Sequence, residues 1–205
     1  MKDFFEARRP HNGLTNDTFR AAMAEHAAKP LAGLDRTARR YVFYARYNQE
    51  RSGRVEEAYD VPARLREAVE KIDAPQLWMV ITEDWCSDSA YALPVIVEAA
   101  ALNPLIELRI LLRDDNLDVM DQYLTGASRS IPKLVAFSED GEELFQWGPR
   151  PREAQDLRER LKSEGLSGSE ISKTLIAWYD DGGWRQVDGE LTLVLEGIAR
   201  PSEAA

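Results

Sequence analysis

An apolar, β-branched run at residues 77–83 is the feature that most constrains the fold. Pro75 precedes the run and acidic residues end it, a pattern that fits a buried strand. A helix-like stretch follows over residues 87–102, and a second apolar run covers residues 105–112. Strand, helix and strand of these lengths form a βαβ unit, in which the strands are parallel and the crossover is right-handed.

A second strand pair is predicted further along the chain. Residues 133–138 and 142–147 are predicted to form two short strands, and Asp140-Gly141 between them is a strong hairpin signal. A short helix is predicted before them, over residues 117–124. The middle of the chain is therefore predicted to be α/β, with a mixed sheet of about four strands in the order β-α-β-α-β-β.

Both ends of the chain show helical periodicity. Helices are predicted over residues 14–28, 35–51 and 62–72 at the front, and over residues 151–163, 169–179 and 185–198 in the tail. We expect one domain overall, with a helical N-terminal extension over residues 1–73, a core over 74–163 and a C-terminal helical extension over 164–205. The front extension shows no evident chemistry.

The composition is that of an ordinary globular domain, with 205 residues of which 44% are hydrophobic and 30% charged. A net charge of −10 disfavours nucleic acid and anionic lipid as partners, and no apolar run approaches the ~18 residues that a membrane span needs. We therefore predict neither a nucleic-acid nor a membrane partner. One basic cluster departs from this average, and its ordinary interpretation is a solvated helix face. It consists of Arg36, Arg39, Arg40 and Arg46.

Cysteine and histidine usage excludes further classes of site. One cysteine, Cys86, rules out a disulfide framework and agrees with a reducing cytoplasm. The first residues lack the apolar segment of a secretory signal. With only His11 and His26 besides Cys86, the donors are too few and too scattered for a zinc site. We predict a cytoplasmic protein without a metal or a bound cofactor.

The segment Trp85-Cys86-Ser87-Asp88-Ser89 lies between the predicted strand and the predicted helix. This position directs the thiol of Cys86 at a helix N-terminus, where its pKa can fall and its thiolate can react. A lone cysteine is more commonly a small buried core residue. Asp88 is expected to be a first-turn acid that complements the helix dipole rather than a catalytic base.

These features resemble the thioredoxin-like superfamily over about residues 74–162. The resemblance rests on Trp85-Cys86 at a helix start, on Ile131-Pro132 before the hairpin and on the order of elements. It implies that Cys86 is the attacking thiol, that Pro132 is a cis-proline facing it, and that Trp85 and Ile131 contact a bound peptide or thiol. Ser89 occupies the position of the second, resolving cysteine.

The chain also resembles an uncharacterised bacterial group of thioredoxin-family proteins, and this likeness extends into the helical front and tail. The stretches that carry it are residues 81–86, 109–114, 120–124, 129–134 and 146–151.

Two departures from thioredoxins limit the implied chemistry. Val80 stands where thioredoxins carry a buried aspartate, and Ser89 stands where they carry the second thiol. Cys86 can therefore attack a protein disulfide or a small-thiol mixed disulfide, but an external low-molecular-weight thiol must release the product. The hydroxyl of Ser89 can hydrogen-bond to the thiolate.

The charges near Cys86 in the sequence are negative, and like charge disfavours a thiolate. Arg129, three residues before Pro132, is the candidate cation. It is expected to pair with Asp88, to stabilise the thiolate or to hold a carboxylate of a tripeptide thiol.

Two functions from different classes follow. The first is a monothiol thiol–disulfide oxidoreductase acting through mixed disulfides at Cys86. The alternative is a redox-inactive module that holds an extended peptide beside Pro132. Capture of client proteins as mixed disulfides is a third hypothesis. The sequence determines neither the oligomeric state nor the physiological substrate.

Overall fold

The computed structural model describes residues 2–199, and these residues contain a four-stranded mixed sheet. Its strands are β1 (Gln76–Thr82), β2 (Ile106–Leu112), β3 (Lys133–Ser138) and β4 (Glu143–Trp147), in the spatial order β2-β1-β3-β4. β1 runs parallel to β2 and antiparallel to β3, and β3 runs antiparallel to β4. The predicted α/β class with a mixed four-stranded sheet is confirmed.

The connections follow from the local sequence. Helix α5 (Ser87–Ala101) joins the parallel strands β1 and β2. The β3–β4 hairpin turns at Asp140-Gly141, where Gly141 has a φ of 78°. Glycine adopts this left-handed conformation without the steric cost that a Cβ atom brings.

The two faces of the sheet carry two separate apolar clusters, because successive side chains of a strand point to opposite faces. Trp78 and Val80 of β1 belong to the larger cluster, which includes the buried side chains of α5. Met79 and Ile81 belong to the smaller cluster, which also contains Cys86. The thiol therefore lies at the edge of the smaller core.

The front of the chain forms α1 (Asp3–Glu6), α2 (Asn16–Ala28), α3 (Arg36–Ala58) and α4 (Ala63–Glu70). The predicted end of the third of these helices near residue 51 is wrong, because α3 continues through Gly53. The Ser52 hydroxyl donates to the carbonyl of Ala90 over 3.0 Å, and Val55 is buried. These tertiary contacts offset the roughly 1 kcal/mol that glycine costs inside a helix.

The helix before the hairpin, α6 (Leu117–Met120), is shorter than the predicted 117–124. The amides of Gln122 and Tyr123 bond three residues back, to Val119 and Met120, so the helix tightens and ends.

The tail forms α7 (Arg152–Ser163), α8 (Gly168–Asp180) and α9 (Gln186–Ala199). α9 packs against α4, so tail and front helices meet on the face of the larger core. Residues 200–205 of the predicted C-terminal extension lie outside the described residues. Between residues 2 and 199, no helix is both long and apolar enough to cross a bilayer.

Candidate thiol site

Cys86 lies where β1 gives way to α5, as the N-cap residue of that helix. Its side chain is buried, with 8% of the residue exposed. Sγ lies 3.3 Å from the carbonyl oxygen of Ile131, to which the thiol donates a hydrogen bond. The peptide bond between Ile131 and Pro132 is cis. The structure therefore brings together the two sequence elements that were predicted to face each other.

A second loop closes against the cis-proline. Gly148 follows β4 with a φ of 107°, and a Cβ atom added there would collide with the carbonyl oxygen of Pro132. Only glycine fits this close approach of two backbones. The loop continues through Pro149 and places Arg150 beside the first turn of α5.

Arg150 provides the cation of the site, and sequence reasoning missed it. Its Nη2 lies 2.6 Å from Asp88 Oδ2 and its Nε lies 3.2 Å from the same oxygen. The hydroxyl of Tyr179, from α8, donates to the other oxygen of Asp88 over 2.9 Å. Asp88 is therefore a buried carboxylate with both oxygens occupied.

Tyr179 reaches Asp88 because the tail packs on the core. Its ring stacks on Tyr91 of α5 with centroids 4.5 Å apart, and it is almost fully buried. Burial raises the pKa of Tyr179 well above its ordinary value, and the adjacent Asp88 carboxylate adds to the effect. Tyr179 is a neutral hydrogen-bond donor at every physiological pH.

The environment keeps the Cys86 thiol protonated. Burial, followed by the charge of Asp88, raises the pKa of Cys86 to about 11. Hydrogen bonds from the Ser89 side chain and from the backbone amides of Ser89 and Asp88 lower the pKa, but they do not outweigh burial. The expectation that nearby acids oppose activation thus agrees in direction with the structure, although desolvation is the larger cause.

Ser89 lies one turn into α5 and is buried. The Thr82 hydroxyl donates to Ser89 Oγ over 2.6 Å, which leaves the Ser89 proton free to bond the sulfur of Cys86. The residue at the resolving position therefore solvates the thiol and is itself oriented from the last residue of β1.

Arg129 does not approach Asp88, so that part of the expectation is wrong. Its guanidinium instead forms a fork with Asp121, with Nε–Oδ1 and Nη2–Oδ2 distances of 2.6 and 2.8 Å. The pair is half exposed. The position beside Asp88 that was predicted for Arg129 belongs to Arg150, which follows the hairpin rather than preceding it.

Trp85 contacts two side chains from distant elements. Its ring lies 5.7 Å from the ring of Tyr41 on α3, and the guanidinium of Arg113 lies 4.7 Å from its centroid. The front of the chain, predicted to hold no chemistry, thus supports the aromatic residue that precedes the thiol.

The front helices also hold the loop before Trp85. His26 Nδ1 lies 2.6 Å from Asp84 Oδ2, and the buried Asn48 donates to the Asp84 carbonyl over 2.9 Å. Two helices therefore fix the loop between β1 and the thiol. The sequence signal for this contact was an asparagine at helical spacing among the apolar residues of α3.

Glu83 is the one acid of this loop that is buried without an ion pair among the described residues. Its Oε1 accepts a hydrogen bond from the backbone amide of Asp114 over 2.8 Å. Burial raises the pKa of Glu83 to about 7, against the opposing effect of that hydrogen bond. Within residues 2–199, no group of three or more histidine, cysteine, aspartate or glutamate side chains is placed to hold a metal ion.

The sequence model of the thioredoxin family matches residues 36–162, more than half of the chain. The chain belongs to the thioredoxin family. The match covers the sheet, the Cys86 loop, the cis-proline and Arg150. It also includes α3, although α3 belongs to the helical front of the chain.

Two solved structures share the fold. A protein of unknown function from Pseudomonas aeruginosa is 19% identical, with a TM-score of 0.54 over 90% of this chain and 98% of that protein. An HIV epitope-scaffold is 24% identical, with a TM-score of 0.55 over 85% of this chain and 97% of the scaffold. No curated protein matches the chain. At these identities the likeness extends to the fold of most of the chain and to nothing further.

Proposed function

We propose that this thioredoxin-family protein exchanges disulfides through the single thiol of Cys86. The observation that carries the proposal is the position of the sulfur. It belongs to the N-cap residue of α5, interacts with the amides of that helix turn and lies 3.3 Å from the carbonyl oxygen of Ile131, next to the cis Ile131–Pro132 bond. Trp85 is half-buried and Ile131 and Pro132 are buried beside the thiol, and a disulfide partner is expected to contact these three residues.

The chemistry requires a second thiol from outside the chain. The Cys86 thiolate attacks one sulfur of a disulfide, so a mixed disulfide forms and the other half leaves as a thiolate. An external low-molecular-weight thiol then attacks the mixed disulfide and regenerates Cys86. The two electrons that reduce the substrate come from external thiols, and the chain itself never holds an internal disulfide because it has one cysteine.

The raised pKa makes this thiol slow at neutral pH. With a pKa of about 11, only about one Cys86 in ten thousand is a thiolate at pH 7, against about 3% for a free cysteine. A more basic thiolate is also a better nucleophile, which raises the rate constant of the thiolate about tenfold. On ionisation alone, Cys86 is therefore expected to react roughly 20- to 30-fold more slowly than free cysteine.

Arg150 is the cation that is expected to favour the Cys86 thiolate once a partner is bound. Burial lowers the pKa of Arg150, but Asp88 and the nearby Cys86 thiolate raise it by more, so the guanidinium stays charged. When a bound partner draws Asp88 or the thiol from its resting hydrogen bond, the charge of Arg150 is expected to favour the thiolate.

The second candidate is a redox-inactive binding module. The hydrogen bond from the buried Cys86 thiol to Ile131 favours it, because that bond uses the neutral thiol as a structural donor. In this case the thiol would orient the Ile131–Pro132 loop, and substitution by serine would preserve the function.

The deciding experiment measures alkylation of Cys86 from pH 7 to 11, together with turnover of a peptide–glutathione mixed disulfide. We expect a rate that climbs with pH throughout this range, and turnover that Cys86→Ser abolishes. The matched Ser89→Ala variant should react more slowly, because it loses a hydrogen bond that lowers the thiol pKa. A high thiol pKa with no turnover, or full cellular function in Cys86→Ser, would leave only the binding module.

We also propose the compartment and the partners of the reaction. A single thiol that depends on external low-molecular-weight thiols suits the reducing cytoplasm, and it needs no bound cofactor. The partners are disulfides of proteins or small thiols rather than nucleic acid or membrane. Membership of the bacterial group with a Trp-Cys-x-x-Ser motif belongs to the same proposal.

A further inference from the structure

Helix α3 exposes three aromatic side chains side by side. Phe43 and Tyr44 are each 42% exposed and Tyr47 is 53% exposed. The spacing i, i+1 and i+4 places them on one stretch of the helix surface. The other exposed large apolar residues of the described chain are leucines spread over several elements. The fold leaves this aromatic surface uncovered, and such patches are typical of interaction sites.

The same helix carries three arginines without acidic partners. Within residues 2–199, none of Arg36, Arg39 and Arg40 forms an ion pair, although most other arginines of this acidic chain do. Together with Phe43 and Tyr44 they line an open groove of about 750 Å³, here called the α3 groove. It is lined by Leu34, Arg36, Thr37, Arg39, Arg40, Phe43 and Tyr44.

A chain of ring contacts joins the α3 groove to the thiol site. The rings of Tyr44 and Tyr41 lie 6.4 Å apart, and Tyr41 lies 5.7 Å from Trp85. Arg113 covers Trp85 on the way to the loop of Cys86. A segment lying in the groove would therefore continue onto the surface that precedes the thiol.

We propose that the α3 groove docks an acidic, leucine- or phenylalanine-containing segment of the protein whose disulfide reacts at Cys86. The arginines without acidic partners favour carboxylates, and the exposed aromatic rings favour apolar side chains. A segment that carries both kinds of side chain would therefore contact both parts of the groove. The net charge of −10 repels a long polyanion such as nucleic acid more strongly than a short acidic segment, whose few carboxylates need to meet only the local arginines. This inference deepens the proposed function and rests on it for the identity of the partner.

Fluorescence anisotropy tests the groove with a cysteine-free, fluorescein-labelled peptide of glutamate and leucine. The test variant is the triple change Arg36→Glu, Arg39→Glu, Arg40→Glu, and the matched control reverses three exposed basic residues elsewhere, Arg66, Lys71 and Lys173. We expect the groove variant to bind at least about tenfold more weakly, since three exposed charge pairs are lost. The control, with the same net charge, should bind like the wild type.

Phe43→Ser with Tyr44→Ser should weaken binding without any change of net charge. A glutamine–leucine peptide, which lacks the carboxylates, should bind more weakly than the glutamate–leucine peptide. Equal binding by both triple variants would overturn the proposal, as would preferential binding of a labelled single-stranded RNA. Sedimentation of the wild type alone supplies a further test, because self-association that the aromatic variant abolishes would assign the groove to a second copy instead.

The two proposals fail separately. Peptide binding in the Cys86→Ser background, combined with no exchange in the wild type, would keep the docking site and remove the reaction. Exchange of a small aromatic disulfide at equal rates in wild type and groove variant, without peptide binding by either, would keep the reaction and remove the docking site.

Discussion

Two arginine–aspartate pairs involve arginines that flank the cis-proline in the sequence, one before it and one after it. The two pairs have the same chemistry but differ in burial. Arg150 and Asp88 have side chains only 10% and 11% exposed. Arg129 and Asp121 are 45% and 46% exposed. The exposed pair has the better geometry, because its two nitrogens bond two different oxygens, whereas both nitrogens of Arg150 bond one oxygen of Asp88.

The comparison shows that surroundings decide what an ion pair does. Asp121 is half exposed, so water would hydrate its carboxylate if Arg129 were removed. The other oxygen of Asp88 accepts a hydrogen bond from the buried Tyr179. Asp88 also raises the pKa of the Cys86 thiol, and only burial raises that pKa more. Solvent cannot replace Arg150 there, so the buried pair links stability to the reactivity of the thiol.

Removing Arg150 should have the largest effect. Arg150→Met leaves the Asp88 carboxylate buried and unpaired, and we expect a loss of about 3–5 kcal/mol in the free energy of unfolding. Urea denaturation measures it. Adding Asp88→Asn to that variant removes the stranded charge while keeping an acceptor for Tyr179, so it should recover much of the loss. A loss below about 1 kcal/mol in the single variant would show that solvent reaches Asp88 after all.

Asp88→Asn should change the thiol as well as the fold, because it leaves the buried Arg150 guanidinium beside a neutral amide. Removing a like charge while retaining the Arg150 cation lowers the pKa of Cys86, and each unit of decrease gives about tenfold more thiolate at neutral pH. Alkylation of Cys86 should therefore accelerate by severalfold to about tenfold at pH 8. Asp121→Asn is the matched control, and acceleration of the same size in both variants would contradict a local effect.

Glu83 extends the comparison to a buried acid without an arginine bonded to it. Its pKa is raised from 4.5 to about 7, so the folded state holds the proton more tightly than the unfolded state. The resulting stability is fully present below pH 4.5 and is lost as the pH rises through 7. Glu83→Gln does not titrate, so at pH 8 we expect it to exceed the wild type by about 1–2 kcal/mol, after allowance for its partial solvation.

Thermal or urea unfolding of Glu83→Gln at pH 4 and pH 8 measures this difference. At pH 4 the two proteins should match, because Glu83 is already protonated in both states. Glu139→Gln, at an exposed position, is the control and should show no pH-dependent gain. A gain of equal size at both pH values would trace the effect to packing instead of charge.

Elements with a local signal could be predicted from the sequence. The apolar run at 77–83 and the Asp140-Gly141 turn led to the correct sheet, since strand period and turn chemistry are set by adjacent residues. The continuation of α3 through Gly53 could not be predicted, because the contacts that offset the glycine come from α5.

The site divides in the same way. Cys86 and Pro132 were found through short motifs, whereas Arg150 and Tyr179 lie 62 and 91 residues from the aspartate they bind. Proximity in sequence to Pro132 favoured Arg129 as the cation. The one available signal for Arg150 was a charged residue enclosed by Pro149 and Pro151 at the end of a strand, where the chain is stiff and its direction is fixed.

Arg129→Ala should have the smallest effect and so completes the comparison. The exposed fork with Asp121 contributes little to stability, and neither group contacts the thiol, so unfolding and the alkylation rate of Cys86 should stay close to wild type. The predicted role of Arg129 in binding substrate can then be tested separately. If Arg129 holds a carboxylate of a tripeptide thiol, the KM for a glutathione mixed disulfide rises in the variant while alkylation by a neutral reagent does not change. A slower reaction with the neutral reagent would instead mean that the exposed pair, like the buried one, acts on the thiol.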